Sequence, residues 1–73
     1  MQDLANAENV GQRVRTLRLA RNLSQQTLAS DAGVALRTVA NLEGGQDVSL
    51  DTLRKLAAVL GVTVAALVGG PAE

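Results

Sequence analysis

The side chains able to do chemistry in this chain are almost all arginines and carboxylates, and they are unevenly spread. Residues 9–42 hold Arg13, Arg15, Arg18, Arg21 and Arg37 against Asp31 alone, a segment charge of +4 with no lysine. The ends are acidic: Asp3 and Glu8 make residues 1–8 −2, and Glu43, Asp47, Asp51 and Glu73 against Arg54 and Lys55 make residues 43–73 −2. The net charge of zero is therefore a sum of opposed segments. Planar guanidinium forks suit bidentate contact with phosphate or guanine, and the plainer alternative is a solubilising helix face. The chain has no histidine, cysteine, phenylalanine, tyrosine or tryptophan. That excludes a disulfide, a zinc site, nucleophilic or metal hydrolysis, and aromatic stacking on single-stranded nucleic acid. Cap, loop and salt-bridge duties account for Asp31, Glu43, Asp47 and Asp51, so no catalytic residue, metal or cofactor is expected, and the chain reads as a binding module rather than an enzyme.

Seventy-three residues make one domain, so few elements are available to position these groups. The N-terminal MQDLANAE is acidic and polar where a signal peptide needs a basic start, and the apolar run Val62 to Val68 is too short to span a bilayer. A soluble, cytoplasmic protein is the expectation. Helical spacing recurs in blocks. Val10, Val14 and Leu17 share one face of a first helix from about Ala7 to Arg21, which Asn22 ends by reversing the chain. Ser24 caps a second helix, Gln25 to Ala32, with Leu28, Ala29 and Ala32 inward and Gly33 closing it. A third, about Ala35 to Glu43, turns Val39 and Leu42 inward and ends at Gly44-Gly45. Ser49 caps a fourth, Leu50 to Leu60, with Leu53, Leu56, Ala57 and Leu60 as its core stripe. Thr63 caps a last short helix, Val64 to Val68, apolar around nearly its whole circumference. Residues 8–68 form the expected domain, between flexible segments at 1–7 and 69–73.

The second and third helices, joined by a tight glycine-containing turn, make a helix-turn-helix unit. The entry Leu23-Ser24-Gln25, the pair Leu28-Ala29, the turn glycine Gly33 and the exit Leu42-Glu43 with Gly45 occur in order. Ser49-Leu50-Asp51-Thr52-Leu53 and Leu60-Gly61-Val62 follow them. Together they resemble the phage-repressor (Xre-like, lambda-repressor-like) helix-turn-helix family over about residues 8–68. The resemblance implies an all-α fold of five short helices that binds operator DNA with its third helix in the major groove.

Carried over by position, it makes Leu36, Arg37 and Asn41 the base-facing side chains. Arg37 would pair with guanine, Asn41 with adenine, and Leu36 would pack on a thymine methyl. The plainer alternatives are a half-buried turn residue at Leu36, a phosphate contact at Arg37 and a solvated amide at Asn41. Gln25, at the positive end of the second helix, is assigned to phosphate, with Thr38 and the backbone of Gly44 behind it. Arg13 and Arg21 either extend that contact or solvate the first helix. Arg18 and Glu43 correspond to a partly buried structural salt bridge, and Val64, Ala65 and Val68 to a two-fold dimer contact. A homodimer reading a palindromic operator as a bacterial or phage transcriptional regulator, of repressor or autoregulator type, is the resulting expectation, with a toxin or RNA polymerase as the kind of protein partner left open. The competing reading is a protein-interaction module that keeps the fold with weak or no DNA affinity. Zero net charge, Asp47 in the loop after the third helix and the apolar last helix favour it.

Overall fold

Asn9 opens the first helix of the computed structural model, which describes residues 9–69. Its own backbone is extended rather than helical, and its Oδ1 accepts the Gln12 N–H at 2.9 Å. Helix α1 therefore spans Val10–Ala20 and does not begin at Ala7 as the apolar spacing predicts. Ser24, Ser49 and Thr63 cap α2 (Gln25–Ala32), α4 (Leu50–Leu60) and α5 (Val64–Leu67) in the same way, each accepting the N–H three residues on. Losing such a cap to alanine costs about 1 kcal/mol. Helix α3 (Leu36–Glu43) starts from Ala35 without a side-chain cap. The expected flexible segment 1–7 and residues 70–73 of the expected tail lie outside the described residues.

The connections are short because their closing residues turn the chain at once. Asn22 takes φ +58, which lets the Leu23 N–H reach the Arg18 carbonyl at 3.0 Å. Gly33 takes φ +74, and the Val34 N–H returns to the Ala29 carbonyl at 3.0 Å. Glycine meets that left-handed conformation without the Cβ penalty of other residues. Only three residues thus link α2 to α3, and the two helices cross closely.

The core is wholly aliphatic. Val14, Leu28, Ala29, Val39, Leu42, Leu53, Leu56, Ala57, Leu60 and Leu67 are buried, and Val10, Leu17 and Ala32 pack around them half-covered. Leu67 anchors α5, whose remaining residues stay open to varying degrees. Helix α1 lies against α3, α4 and α5, while α2 lies against α3 and α4. Among the described residues no helix is long and apolar enough to cross a membrane.

One contact in this arrangement admits no side chain. Gly11 is buried in the first turn of α1, and a Cβ there would overlap the carbonyl oxygen of Leu42 and crowd Glu43 Cα at 3.2 Å. Backbone meets backbone, so no rotamer change relieves the overlap. On an exposed helix, glycine to alanine gains about 1 kcal/mol from propensity. Here Gly11→Ala is expected to lower stability by about 1–3 kcal/mol instead. Urea unfolding measures this, and a midpoint equal to or above wild type would refute the close approach.

Candidate nucleic-acid interface

Helix α3 is held from behind and open in front. Val39 and Leu42 are fully or nearly fully buried, which fixes the rotation of the helix about its axis. Leu36 and Arg37 are exposed and Asn41 is half-buried; Arg37 and Asn41, four apart, share one edge. Leu36 is 44% exposed, so its side chain is offered to solvent and is not the half-buried turn residue of the plainer reading. Thr38 is half-buried at the margin of that surface.

The far end of α3 is fixed by charge. Arg18 is 8% exposed, and its guanidinium forks onto Glu43, Nε to Oε2 at 2.7 Å and Nη2 to Oε1 at 3.0 Å. Its Nη1 donates to the Leu23 carbonyl at 2.8 Å, in the turn that leads into α2. Gln25 completes the junction: its Nε2 donates to Glu43 Oε1 at 3.0 Å. One carboxylate at the end of α3 thereby ties together α1 and the start of α2. Hydrogen bonding to Glu43 raises the Arg18 pKa further above its ordinary value, against the opposing effect of burial. Burial pushes the Glu43 carboxyl up, but hydrogen bonds from Arg18 and Gln25 and the charges of Arg18 and Arg15 outweigh it and hold it below the usual carboxylate range.

The phosphate-contact candidates part company here. Ser24 takes the Thr27 N–H, which leaves the N–H groups of Gln25 and Gln26 facing outward at the positive end of α2. The Gln25 side chain is engaged with Glu43, a link that its position alone did not signal. Gly44 offers no free donor: its N–H lies 3.0 Å from the Ala40 carbonyl and 3.1 Å from that of Asn41, closing the helix. The next two loop residues are also drawn in, with the Gly45 N–H on the Leu42 carbonyl at 3.0 Å and the Gln46 N–H on the Asn41 carbonyl at 2.9 Å. Arg13 and Arg21 make their contacts elsewhere. The Arg13 guanidinium lies beside Gly69, and that of Arg21 beside Gly61, at the α4–α5 end of the molecule. Helical geometry explains the divergence for Arg13, which stands about 140° around α1 from Arg18. In α5 Val64 is half-buried and Ala65 exposed; Val68, expected as the last helical residue, is its exposed C-cap, because the helix ends at Leu67.

A short helix with a locked apolar back and an open polar front, set tightly across a partner helix with an open N-terminus, defines a helix-turn-helix domain. The helix-turn-helix family pattern matches residues 14–67 of the chain. The chain is 39% identical over 61 residues to the immunity repressor protein of Bacillus phage phi105, covering 82% of this chain and 42% of that one. It thus spans less than half the length of that curated relative. Among solved structures it resembles the biofilm regulator SinR in complex with DNA (35% identity, TM-score 0.76, covering 80% of this chain and 95% of that one). It also resembles the restriction-modification controller protein C.AhdI of Aeromonas hydrophila (40% identity, TM-score 0.76, covering 88% and 98%). The chain belongs to the phage-repressor (Xre-like) helix-turn-helix family of DNA-binding domains.

The depressed Glu43 pKa has a definite sign in stability. A carboxyl held lower in the folded than in the unfolded state binds fewer protons when folded, so its contribution is complete above the ordinary glutamate pKa and is lost as pH falls through the folded value. With no histidine in the chain, no side chain is expected to titrate near pH 6–7. Urea midpoints should therefore be level from about pH 7 to 6 and fall below about pH 4.5, and Glu43→Gln should make the acid limb shallower. Identical acid limbs in the two proteins would contradict this role of Glu43.

Proposed function

We propose that this chain is a sequence-specific, double-stranded DNA-binding transcriptional regulator of repressor type that acts by occupying an operator. The observation that carries the reading is α3 itself, with Val39 and Leu42 locked inward and Leu36, Arg37 and Asn41 outward. A helix fixed in rotation presents the same three side chains on every encounter, as base readout requires. Arg37 takes a guanine through two parallel hydrogen bonds, Asn41 an adenine, and Leu36 a thymine methyl. The open N–H groups of Gln25 and Gln26 hold a phosphate at the start of α2, with the second N–H of the Gln25 amide and the Thr38 hydroxyl beside them. The likeness to SinR, whose solved structure is a DNA complex, supports the assignment.

Two copies meet through Val64, Ala65 and Val68, of which Val68 is 52% exposed. An isologous dimer places two α3 helices about one DNA turn apart, so the operator is palindromic. Asp47, exposed in the loop after α3, favours the competing protein-interaction reading, since an acidic loop repels the phosphate backbone.

Selection of bound sequences from random duplex DNA decides between the two. A palindromic motif is expected. Arg37→Ala should relax preference at one position per half-site by about 1–3 kcal/mol. A phosphate contact at Arg37 would instead weaken all sequences alike and reduce the salt slope by about 1. Val68→Asp should sediment as a monomer and lose affinity for the full operator. Recovery of no motif, with weak binding indifferent to Arg37, would overturn the proposal.

A further inference from the structure

On the side of α1 away from the Glu43 junction, α1 and α5 leave a groove of about 210 Å³ between them. Its lining is Thr16, Leu17, Val62 and Ala66, with Arg13 at one end. The volume exceeds the about 150 Å³ of an engineered apolar cavity that admits benzene. Arg13 Nε is buried and meets no acceptor among the described residues, although the guanidinium to which it belongs lies against Gly69. Buried N–H groups in folded proteins nearly always have a partner, and one without is an unfilled demand for an acceptor. Guanidinium is matched best by a carboxylate, and because Nε is closed to solvent a carboxylate arriving in the groove must turn the guanidinium away from Gly69 to take Nε–H and a terminal N–H together.

The groove is separate from the surface assigned above to the dimer. Successive residues of α5 differ by about 100°, so with Ala66 turned into the groove Val64 and Val68 stand about 160° from it and Ala65 about 100°. Nor can a second copy satisfy the groove with the same face. None of the groove's lining residues is acidic, so a second copy meeting it with the same face would bring no carboxylate to Arg13. Charge complementarity requires a different surface, apolar with one negative charge.

We propose that the α1–α5 groove is a docking site for a peptide segment of another protein, which lays an aliphatic side chain over Val62 and Ala66 and forks a glutamate or aspartate carboxylate onto Arg13. Such a partner would be held on the side of α1 opposite the Glu43 junction.

The test is NMR titration of the full chain, ¹⁵N-labelled, with a capped peptide carrying one glutamate between two leucines, and with the same peptide carrying glutamine. The acidic peptide is expected to shift the Arg13 Nε–H signal together with the amides of Val62 and Ala66, and to bind at least about tenfold more tightly than the glutamine peptide. Arg13→Lys keeps the charge but removes the fork, and should erase most of that difference. Ala66→Leu fills the groove from within and should weaken both peptides. Equal binding of the two peptides, shifts centred on α3, or binding of butyrate as tight as that of the acidic peptide would overturn the proposal. So would an Arg13 Nε–H signal that already moves with protein concentration, which would mean a second copy in the groove. A signal that moves when the residues after Gly69 are removed would overturn it too, since the chain's own tail would then be the occupant.

Discussion

The fork of Arg18 on Glu43 is the contact on which the placement of α3 rests. Each ion taken out of water costs several kcal/mol, and attraction between the two repays that only when geometry is good and the remaining polar atoms are met. Both conditions hold here. The two oxygens of Glu43 receive three hydrogen bonds, and the spare arm of Arg18 reaches the Leu23 carbonyl. The consequence is geometric. Glu43 is the last residue of α3, Arg18 lies in the last turn of α1, and Leu23 and Gln25 flank the cap of α2. A shift of α3 along or around its axis breaks several charged hydrogen bonds at once. Burial of Val39 and Leu42 sets which face of α3 turns inward, and the charged junction fixes where its end lies.

Gly11 acts on the same helix end from the other side. Its missing side chain lets α1 approach the Leu42 carbonyl, one residue before Glu43, so the ion pair and the close backbone approach specify a single position for the end of α3. Four side-chain caps and the short turns at Asn22 and Gly33 then fix where each helix begins and how soon the next follows. A small core without aromatic residues is thereby made specific by its polar joints, which is how a domain of this size can hold α3 still.

Much of this was legible in the residues because it depends on local rules. Caps at Ser24, Ser49 and Thr63, left-handed ends at Asn22, Gly33 and Gly61, and the core stripes of α2, α3 and α4 follow from spacing and side-chain chemistry within a few positions. The resemblance to repressors supplied the Arg18–Glu43 pair across twenty-five positions, which periodicity cannot give. What stayed hidden depends on three-dimensional approach. Gln25 is close to Glu43 only because α2 and α3 cross, so its amide was assigned to phosphate alone. Gly44 lost its free N–H to the closing turn of α3, and Arg13 and Arg21 turned toward α5 and Gly61, through rotations set by how α1 packs. Gly11 did leave a trace: a lone glycine in a helical pattern marks a close approach.

A double-mutant cycle on Arg18→Met and Glu43→Leu, read by urea unfolding at neutral pH, tests the dependence of the fold on the ion pair most directly. Each single change strands a buried charge and should cost about 3–5 kcal/mol, while the double change removes both charges and should cost far less than the sum. A coupling energy of about 1 kcal/mol or more is predicted, whereas losses that add to within about 0.5 kcal/mol would show that Arg18 and Glu43 do not act as a unit.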